Sequence, residues 1–406
     1  MKVVVIGGGP AGLMAAGTAK NNGADVVLFE KNEKVGKKLY ITGKGRCNLT
    51  NSCKNGSFFD NIVHNSKFLY SSYNNFDYDA LIEFCKKYNL SVKEERGGRV
   101  FPTSDKASDV TKTLVAYCKG VNIILNTRVN KLLIDDGKVV GVETNDGAFY
   151  ADKVIIACGG LSYPVTGSTG DGYTLAKSVG HTIIEPKPAL VPLITSKVEQ
   201  IKKVEGLSLK NVAVTAVFND KSTITEFGEM LFTSNGISGP LVLTLSSRIN
   251  EKKTDYLSID FKPALNEEVL DKRLLREFNE NSNKSLKNIL GNLLPKSLIE
   301  SVVNRAGLSL DVKANAITGE ERKNLLKILK DYRLYDFNLA DVSAGIVTAG
   351  GISVKEINPK TMESKTVKNL YFAGEVIDVD GLTGGYNIHI ALCTGVAAGK
   401  YASKGE

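Results

Sequence analysis

The first residues equipped to do chemistry are glycines. Gly7-Gly8-Gly9-Pro10-Ala11-Gly12 has the G-x-G-x-x-G spacing. In that pattern Gly7 permits a tight turn, Gly9 lets the backbone approach a pyrophosphate, and Gly12 allows close helix–strand packing. A helix opening at Pro10 and Ala11 would aim free N–H groups and a positive dipole end at the phosphates. Further on, the carboxylate of Glu30 can accept hydrogen bonds from both hydroxyls of a ribose. A 2′-phosphate would be repelled there, so the site suits NAD or FAD rather than NADP.

These residues need a strand before the turn, a helix after it and a second strand ending in the acid. Lys2-Val3-Val4-Val5-Ile6 is a β-branched run without polar alternation, as in a parallel strand buried on both faces. Leu13, Ala15, Ala16 and Ala19 recur at helical spacing, and Asp25-Val26-Val27-Leu28-Phe29 supplies the second strand.

Beyond Glu30 a simple NAD dehydrogenase would proceed to another helix, whereas here Lys31 to Leu39 and Thr42 to Asn51 form a glycine- and amide-rich stretch. Lys31, Lys38, Gly43, Gly45, Arg46, Cys47 and Asn48 offer ammonium groups, backbone N–H groups, a guanidinium and a carboxamide. That lining suits a long, polar cofactor. A further strand, Val154-Ile155-Ile156, ends in Ala157-Cys158-Gly159-Gly160, and a β-meander is expected to run from Asn122 to this strand. Near the other end, Asn369-Leu370-Tyr371-Phe372-Ala373 leads into Gly374-Glu375. Gly381-Leu382-Thr383-Gly384-Gly385-Tyr386-Asn387 then opens an alanine-rich helix. Its N-terminus would stabilise negative charge on a reduced flavin, so the cofactor read here is FAD, held from both ends of the chain.

Candidate reactive groups in these loops are Arg46, Arg99, Tyr163, Asp380, Tyr386 and His389. Arg99 can anchor a carboxylate or form a structural salt bridge. Tyr386 can give a proton or simply pack. His389, one turn into the last helix, reads as a base or a structural histidine, and Cys47 as a nucleophile or a small loop residue.

The 406 residues, 42% hydrophobic and 24% charged, describe a globular chain of two or three domains. A net charge of +8 is dispersed among acids, without a basic tract that would track a phosphate backbone, and favours an anionic cofactor or substrate. Six cysteines without C-x-x-C and three histidines disfavour a disulfide framework, a dithiol centre and a metal site. The first apolar run ends in glycines rather than in a signal-peptide pattern, and no stretch approaches bilayer length. A cytoplasmic protein without membrane attachment is expected.

The expected division is residues 1–190 for the first part of the FAD domain, 191–262 for an inserted β-rich domain, 263–335 for a helical cap, and 336–406 for the return. Val212 to Phe218 and Tyr256 to Phe261 alternate as half-buried strands. Pro263 to Arg333 reads as helical through Leu270, Leu274, Leu275 and Phe278, with a capping box at Thr318-Gly319-Glu320-Glu321. The helices serve either to close over substrate or as a packing surface.

The ordered blocks 7–12, 43–51, Arg99-Val100-Phe101-Pro102, 157–160, Thr361-Met362-Glu363-Ser364-Lys365 and 374–387 resemble the BaiN/RdsA-type, aminoacetone-oxidase-like flavoproteins over essentially the whole chain. Lys44 and Cys158 depart from the glycine and threonine usual in that pattern. The resemblance implies an α/β architecture: a Rossmann-like, two-dinucleotide-fold FAD domain with inserted β-barrel-like and helical domains. It implies non-covalent FAD, with Ala11, Glu30, Lys38, Arg46, Val129, Glu375, Asn387 and Ile388 as cofactor contacts. It also implies reduction of a C=C bond conjugated to a carbonyl in a small molecule. Oxygen-dependent oxidation of a small amine and FAD-dependent RNA modification are the alternatives. With no second strand–G-x-G-x-x-G–helix unit, NAD(P)H would bind transiently, as a substrate does.

Overall fold

Both ends of the chain build one sheet. The structure is a computed structural model that describes residues 1–53 and 55–405, and it divides into one unit of residues 1–189 and 342–405 and a second of residues 190–341. In the first unit β1 (Lys2–Ile6), β2 (Asp25–Phe29), β3 (Asn122–Ile124), β4 (Lys153–Ile156) and β5 (Leu370–Phe372) form a parallel sheet in the order β5-β4-β1-β2-β3. Val3 to Ile6 and all of β4 and β5 are buried, which is why these segments carry continuous apolar runs instead of alternation.

The expected meander is shorter than the sequence suggests. Strands Val129–Asp135, Lys138–Thr144 and Gly147–Tyr150 pair antiparallel as a separate sheet, while residues 122–124 and 153–156 join the parallel one. Apolar runs alone do not tell which neighbour a strand will choose.

Two helices pack closely through glycines of one and backbone carbonyls of the other. In α1 (Pro10–Asn21) the carbonyls of Ala11 and Ala15 face Gly395 and Gly399 of α2 (Tyr386–Ala402). A Cβ at Gly395 would lie 2.5 Å from the Ala11 oxygen, and one at Gly399 2.3 Å from that of Ala15. The pairing of 11 with 395 and 15 with 399 makes the helices run in the same direction.

The second unit holds seven antiparallel strands. Their order is Tyr332–Tyr335, Thr254–Asp260, Ser208–Phe218, Thr223–Thr233, Gly236–Ser238, Leu193–Thr195 and Phe337–Leu339. The two edge strands are neighbours in the chain, separated by Asp336 alone, so the sheet must curl until its edges approach: a barrel-like insert. Helices Glu267–Glu280, Leu286–Leu290, Lys296–Arg305 and Gly319–Lys330 share one apolar core with these strands. Leu270, Leu274 and Phe278 are buried at helical spacing, whereas Leu275 is on the exposed side. Thr318 and Glu321 form the expected capping box. Helix stops at Lys330, short of the expected Arg333, because Tyr332–Tyr335 extends the sheet beside Thr254–Asp260. No helix among the described residues is long and apolar enough to cross a membrane.

The close helix contact makes a prediction. Gly395→Leu is expected to destabilise the protein by about 1–3 kcal/mol through overpacking, and to lower flavin retention by moving the start of α2. Gly319→Ala, where a Cβ meets nothing within 4 Å, serves as the neutral control in urea unfolding.

Candidate cofactor site

The glycine turn has the geometry its spacing demands. Gly7 sits at φ +105°, and a Cβ there would press within 2.5 Å of the Ala157 oxygen; at Gly12 it would lie 1.8 Å from the oxygen of Gly7. At Gly9 a Cβ would meet nothing within 4 Å. Gly9 caps α1, followed by Pro10, with no side chain satisfying the first N–H groups and no acid in the first turn. An open, uncapped helix start is an anion site in search of a phosphate.

Glu30 follows β2 and is buried. One carboxylate oxygen accepts from the Gly8 N–H at 2.8 Å, and the other from the Asn32 backbone and side-chain amides at 2.8 and 2.6 Å. A carboxylate has lone pairs beyond these, so the acid is fixed in place and still able to accept from a ribose. The Thr127 N–H binds the Glu30 carbonyl at 3.0 Å, which brings buried Val129 into the same neighbourhood. The Lys31 ammonium reaches Thr169 at 2.6 Å and Asp171 at 2.8 Å, and Arg128 also binds Asp171 at 2.8 Å. Lys31 is therefore held beside the turn by an anionic partner absent from any local motif.

A second hub joins four distant segments. The Lys38 ammonium donates to both oxygens of Glu375, at 2.7 and 3.0 Å, and to Ser162 at 2.5 Å; Glu375 also accepts from the Ser162 hydroxyl at 2.9 Å and the Thr348 N–H at 2.9 Å. Sequence reading missed Ser162 and Thr348, and no spacing could have revealed them. Thr348 in turn takes the Leu161 and Ser162 N–H groups on its hydroxyl. Gly159 is in the left-handed region next to this loop.

The loop over residues 39–48 is a 3₁₀ turn, Leu39–Gly45, that breaks at Gly43, Lys44 and Gly45, all with positive φ. Lys44 takes the left-handed region at φ 58° although it has a side chain, so the departure from glycine costs strain. The Arg46 guanidinium pairs with Glu95 at 2.8 Å and Asp105 at 3.3 Å and lies 4.0 Å over the Phe101 ring. Its terminal nitrogens thus hold the loop against the hairpin of Val92–Glu95 and Arg99–Pro102. Asn48 keeps a buried side-chain oxygen with no hydrogen-bond partner among the described residues, the kind of orphan a bound polar group satisfies.

At the C-terminal side Gly374 is left-handed and lies against Ala11. Gly385 caps α2 at φ 101°, again with no side-chain cap and no acid in the first turn. A Cβ at Gly385 would lie 2.5 Å from the Thr50 oxygen. The Asn387 side chain clamps the preceding turn, accepting from the Gly381 N–H at 2.8 Å and donating to the Gly381 oxygen at 2.6 Å. Ile388 packs partly buried against the core. Because Ala11 is level with Gly395, the start of α2 lies about 12 Å before the start of α1 along the shared direction. Two uncapped helix starts at that offset fit a pyrophosphate at one and a flavin ring at the other.

The expected reactive groups fare differently. Arg99 is exposed and donates from Nε to the Arg96 carbonyl at 3.0 Å. Tyr386 is buried beside Cys53 and Phe58, and burial pushes its hydroxyl well above the usual tyrosine range. Of the two readings of Cys47, burial favours the small loop residue over the nucleophile, since it is wholly buried and its thiol is pushed up to about 12. His389 is corrected from base to structural residue. Its Nε2 donates to the Phe76 carbonyl at 2.9 Å, its Nδ1 accepts from the Thr50 hydroxyl at 2.7 Å, and no edge of the ring is exposed. Cys158 is pushed up to about 12 by burial, so it remains a neutral thiol in place of threonine.

Comparison with known proteins agrees with this cradle. The family model described as the HI0933-like protein Rossmann domain matches residues 1–401. A 3-dehydro-bile acid delta(4,6)-reductase of Clostridium scindens is 32% identical, covering 99% of this chain and 99% of that protein. A ribosomal RNA dihydrouridine synthase of Escherichia coli K12 is 30% identical over 96% of this chain and 94% of its own. Among solved structures, a 3-ketosteroid-delta4-(5alpha)-dehydrogenase of Rhodococcus jostii RHA1 shares the fold with a TM-score of 0.53 at 15% identity, covering 99% and 96% of the two chains.

Two outcomes follow from the geometry. Glu30→Gln is expected to weaken FAD binding by about ten-fold or more, read by fluorescence titration of the apoprotein; unchanged affinity would remove Glu30 from the cofactor contacts. Burial pushes His389 down to about 4 from an ordinary 6.5, so between those values the unfolded chain binds the proton and the folded one does not. Its contribution, on the order of 3 kcal/mol, is present above about pH 6.5 and is lost as pH falls toward 4. His389→Gln should flatten the pH dependence of the unfolding midpoint across that window. The cradle, the match over residues 1–401 and the end-to-end relatives lead to one conclusion: the chain belongs to the HI0933-like family of FAD-dependent, Rossmann-fold oxidoreductases.

Proposed function

We propose that this flavoenzyme uses NAD(P)H to reduce a C=C bond conjugated to a carbonyl in a small molecule. The observation that carries the reading is the end-to-end similarity to a relative named as a delta(4,6)-reductase of a 3-dehydro-bile acid, a compound in which a ketone activates neighbouring double bonds. Dihydrouridine is uridine whose ring double bond, also conjugated to a carbonyl, has been saturated, so the names of the other relatives describe the same type of bond change.

Bound FAD supplies two electrons and one hydrogen to such a bond. Gly7, Gly9, Pro10, Ala11 and Gly12 present the α1 start to the pyrophosphate, and Glu30 takes the adenosine ribose, with Lys31 and Val129 beside it. The Lys38–Glu375 pair, Gly43, Gly45, Arg46, Cys47, Asn48, Ala157, Gly159 and Gly374 shape the polar channel. Gly384, Gly385, Asn387 and Ile388 set the start of α2, whose dipole favours the negative charge of the reduced ring. NAD(P)H would bind transiently, as a substrate does.

A second reading places the substrate in ribosomal RNA, favoured by the names of the Escherichia coli and Haemophilus influenzae relatives. Anaerobic titration with NADH and NADPH, followed by flavin absorbance, tests the first half-reaction. Bleaching by either is expected. A flavin that stays oxidised with both, and is bleached instead by small amines, would replace the reductase by an amine oxidase. Dihydrouridine formed in deproteinised ribosomal RNA, with no turnover of conjugated ketones, would select the second reading.

A further inference from the structure

We infer that His64 is the proton donor of this reaction and that Asp380 positions it; the assignment rests on the reductase reading above. Asp380 immediately precedes the turn that Asn387 clamps and that feeds the start of α2. The segment 61–65 is knitted across it. The Val63 N–H donates to the Asp380 carbonyl at 2.8 Å, the Leu382 N–H donates to that of Asn61 at 2.8 Å, and Asn65 donates to the Asp378 carbonyl and carboxylate at 2.7 and 2.9 Å. Ile62 and Gly381 form a β-bridge between the two segments.

On this frame the His64 Nδ1 and an Asp380 carboxylate oxygen lie 2.5 Å apart, with the Asp380 side chain fully buried and that of His64 24% exposed. A buried carboxylate on one ring nitrogen fixes the orientation and tautomer of an imidazole and balances its charge when protonated. The exchangeable proton is then carried on Nε2. The other two histidines are buried, His181 among Glu356, Ser364 and Thr366 and His389 between Thr50 and Phe76, whereas the His64 side chain is partly exposed. Tyr386 and Cys53 are held above their ordinary pKa values by burial, which makes them poorer acids than an imidazolium.

The step balances. Two electrons and one hydrogen come from the reduced flavin, which is oxidised, and go to the carbon remote from the carbonyl. The imidazolium of His64 gives its Nε2 proton to the carbon next to the carbonyl. One π bond is broken, two C–H bonds are formed, and the neutral imidazole regains a proton from water.

The test uses the full-length flavoprotein, photoreduced without oxygen and mixed with cyclohexenone and other conjugated ketones while flavin reoxidation is followed. His64→Gln, which can still bond to Asp380, is expected to reoxidise about 10²–10⁴-fold more slowly, with flavin content and reduction by NAD(P)H unchanged. His64→Ala should regain rate when imidazole is added, and Asp380→Asn should be slow without being rescued. Reoxidation of His64→Gln at the wild-type rate overturns the assignment and leaves the reductase reading standing, as does slow His64→Ala that imidazole does not restore. A wild-type flavin reoxidised by no conjugated ketone overturns the reductase reading itself, and the assignment with it.

Discussion

The direct backbone contact between α1 and α2 is the constraint on which the flavin unit depends. Gly395 and Gly399 leave no Cβ to separate α2 from the carbonyls of Ala11 and Ala15, so the two helices pack closely. That contact fixes both the distance and the slip between helices encoded almost four hundred residues apart. The slip, in turn, sets where the two positive ends point. Each helix start lacks a side-chain cap and an acid, a cost that a cofactor's negative charge can offset.

Around this contact the polar cradle is held by hubs rather than by a continuous lining. Glu30 joins the glycine turn to Asn32; Lys38 and Glu375 join the first loop to the returning chain through Ser162 and Thr348; Arg46 secures its loop to a hairpin through Glu95 and Asp105. Each hub ties a loop to a distant segment of the chain. Partly buried charged pairs of this kind add modest net stability but penalise every other arrangement, because losing one partner strands the other charge. They suit a site that must hold its shape as electrons arrive and leave.

The second unit makes a different use of its sequence. Its strands alternate and its helices repeat at helical spacing, and both bury their apolar faces in one core. Asp336 turns one edge of the sheet directly into the other, so closure comes from a single left-handed residue rather than from a long connection.

The sequence alone determined the parts whose physics is local. Gly7 and Gly12 required their turn because no side chain fits there, the burial of β1 and β2 was written in unbroken apolar runs, and the capping box of Thr318 and Glu321 follows from bonds three residues apart. The Gly384-Gly385 start of α2 was legible for the same reason. Tertiary structure decided everything that depended on distant partners. It enclosed His389 and Cys47, whose types suggested chemistry, and it set His64 against Asp380, 316 residues away, where no spacing pointed. It also chose β3 and β4 for the parallel sheet instead of the meander. Reactivity in a side chain is set by burial, neighbouring charge and hydrogen bonds, and those are properties of the folded chain rather than of the order of its residues.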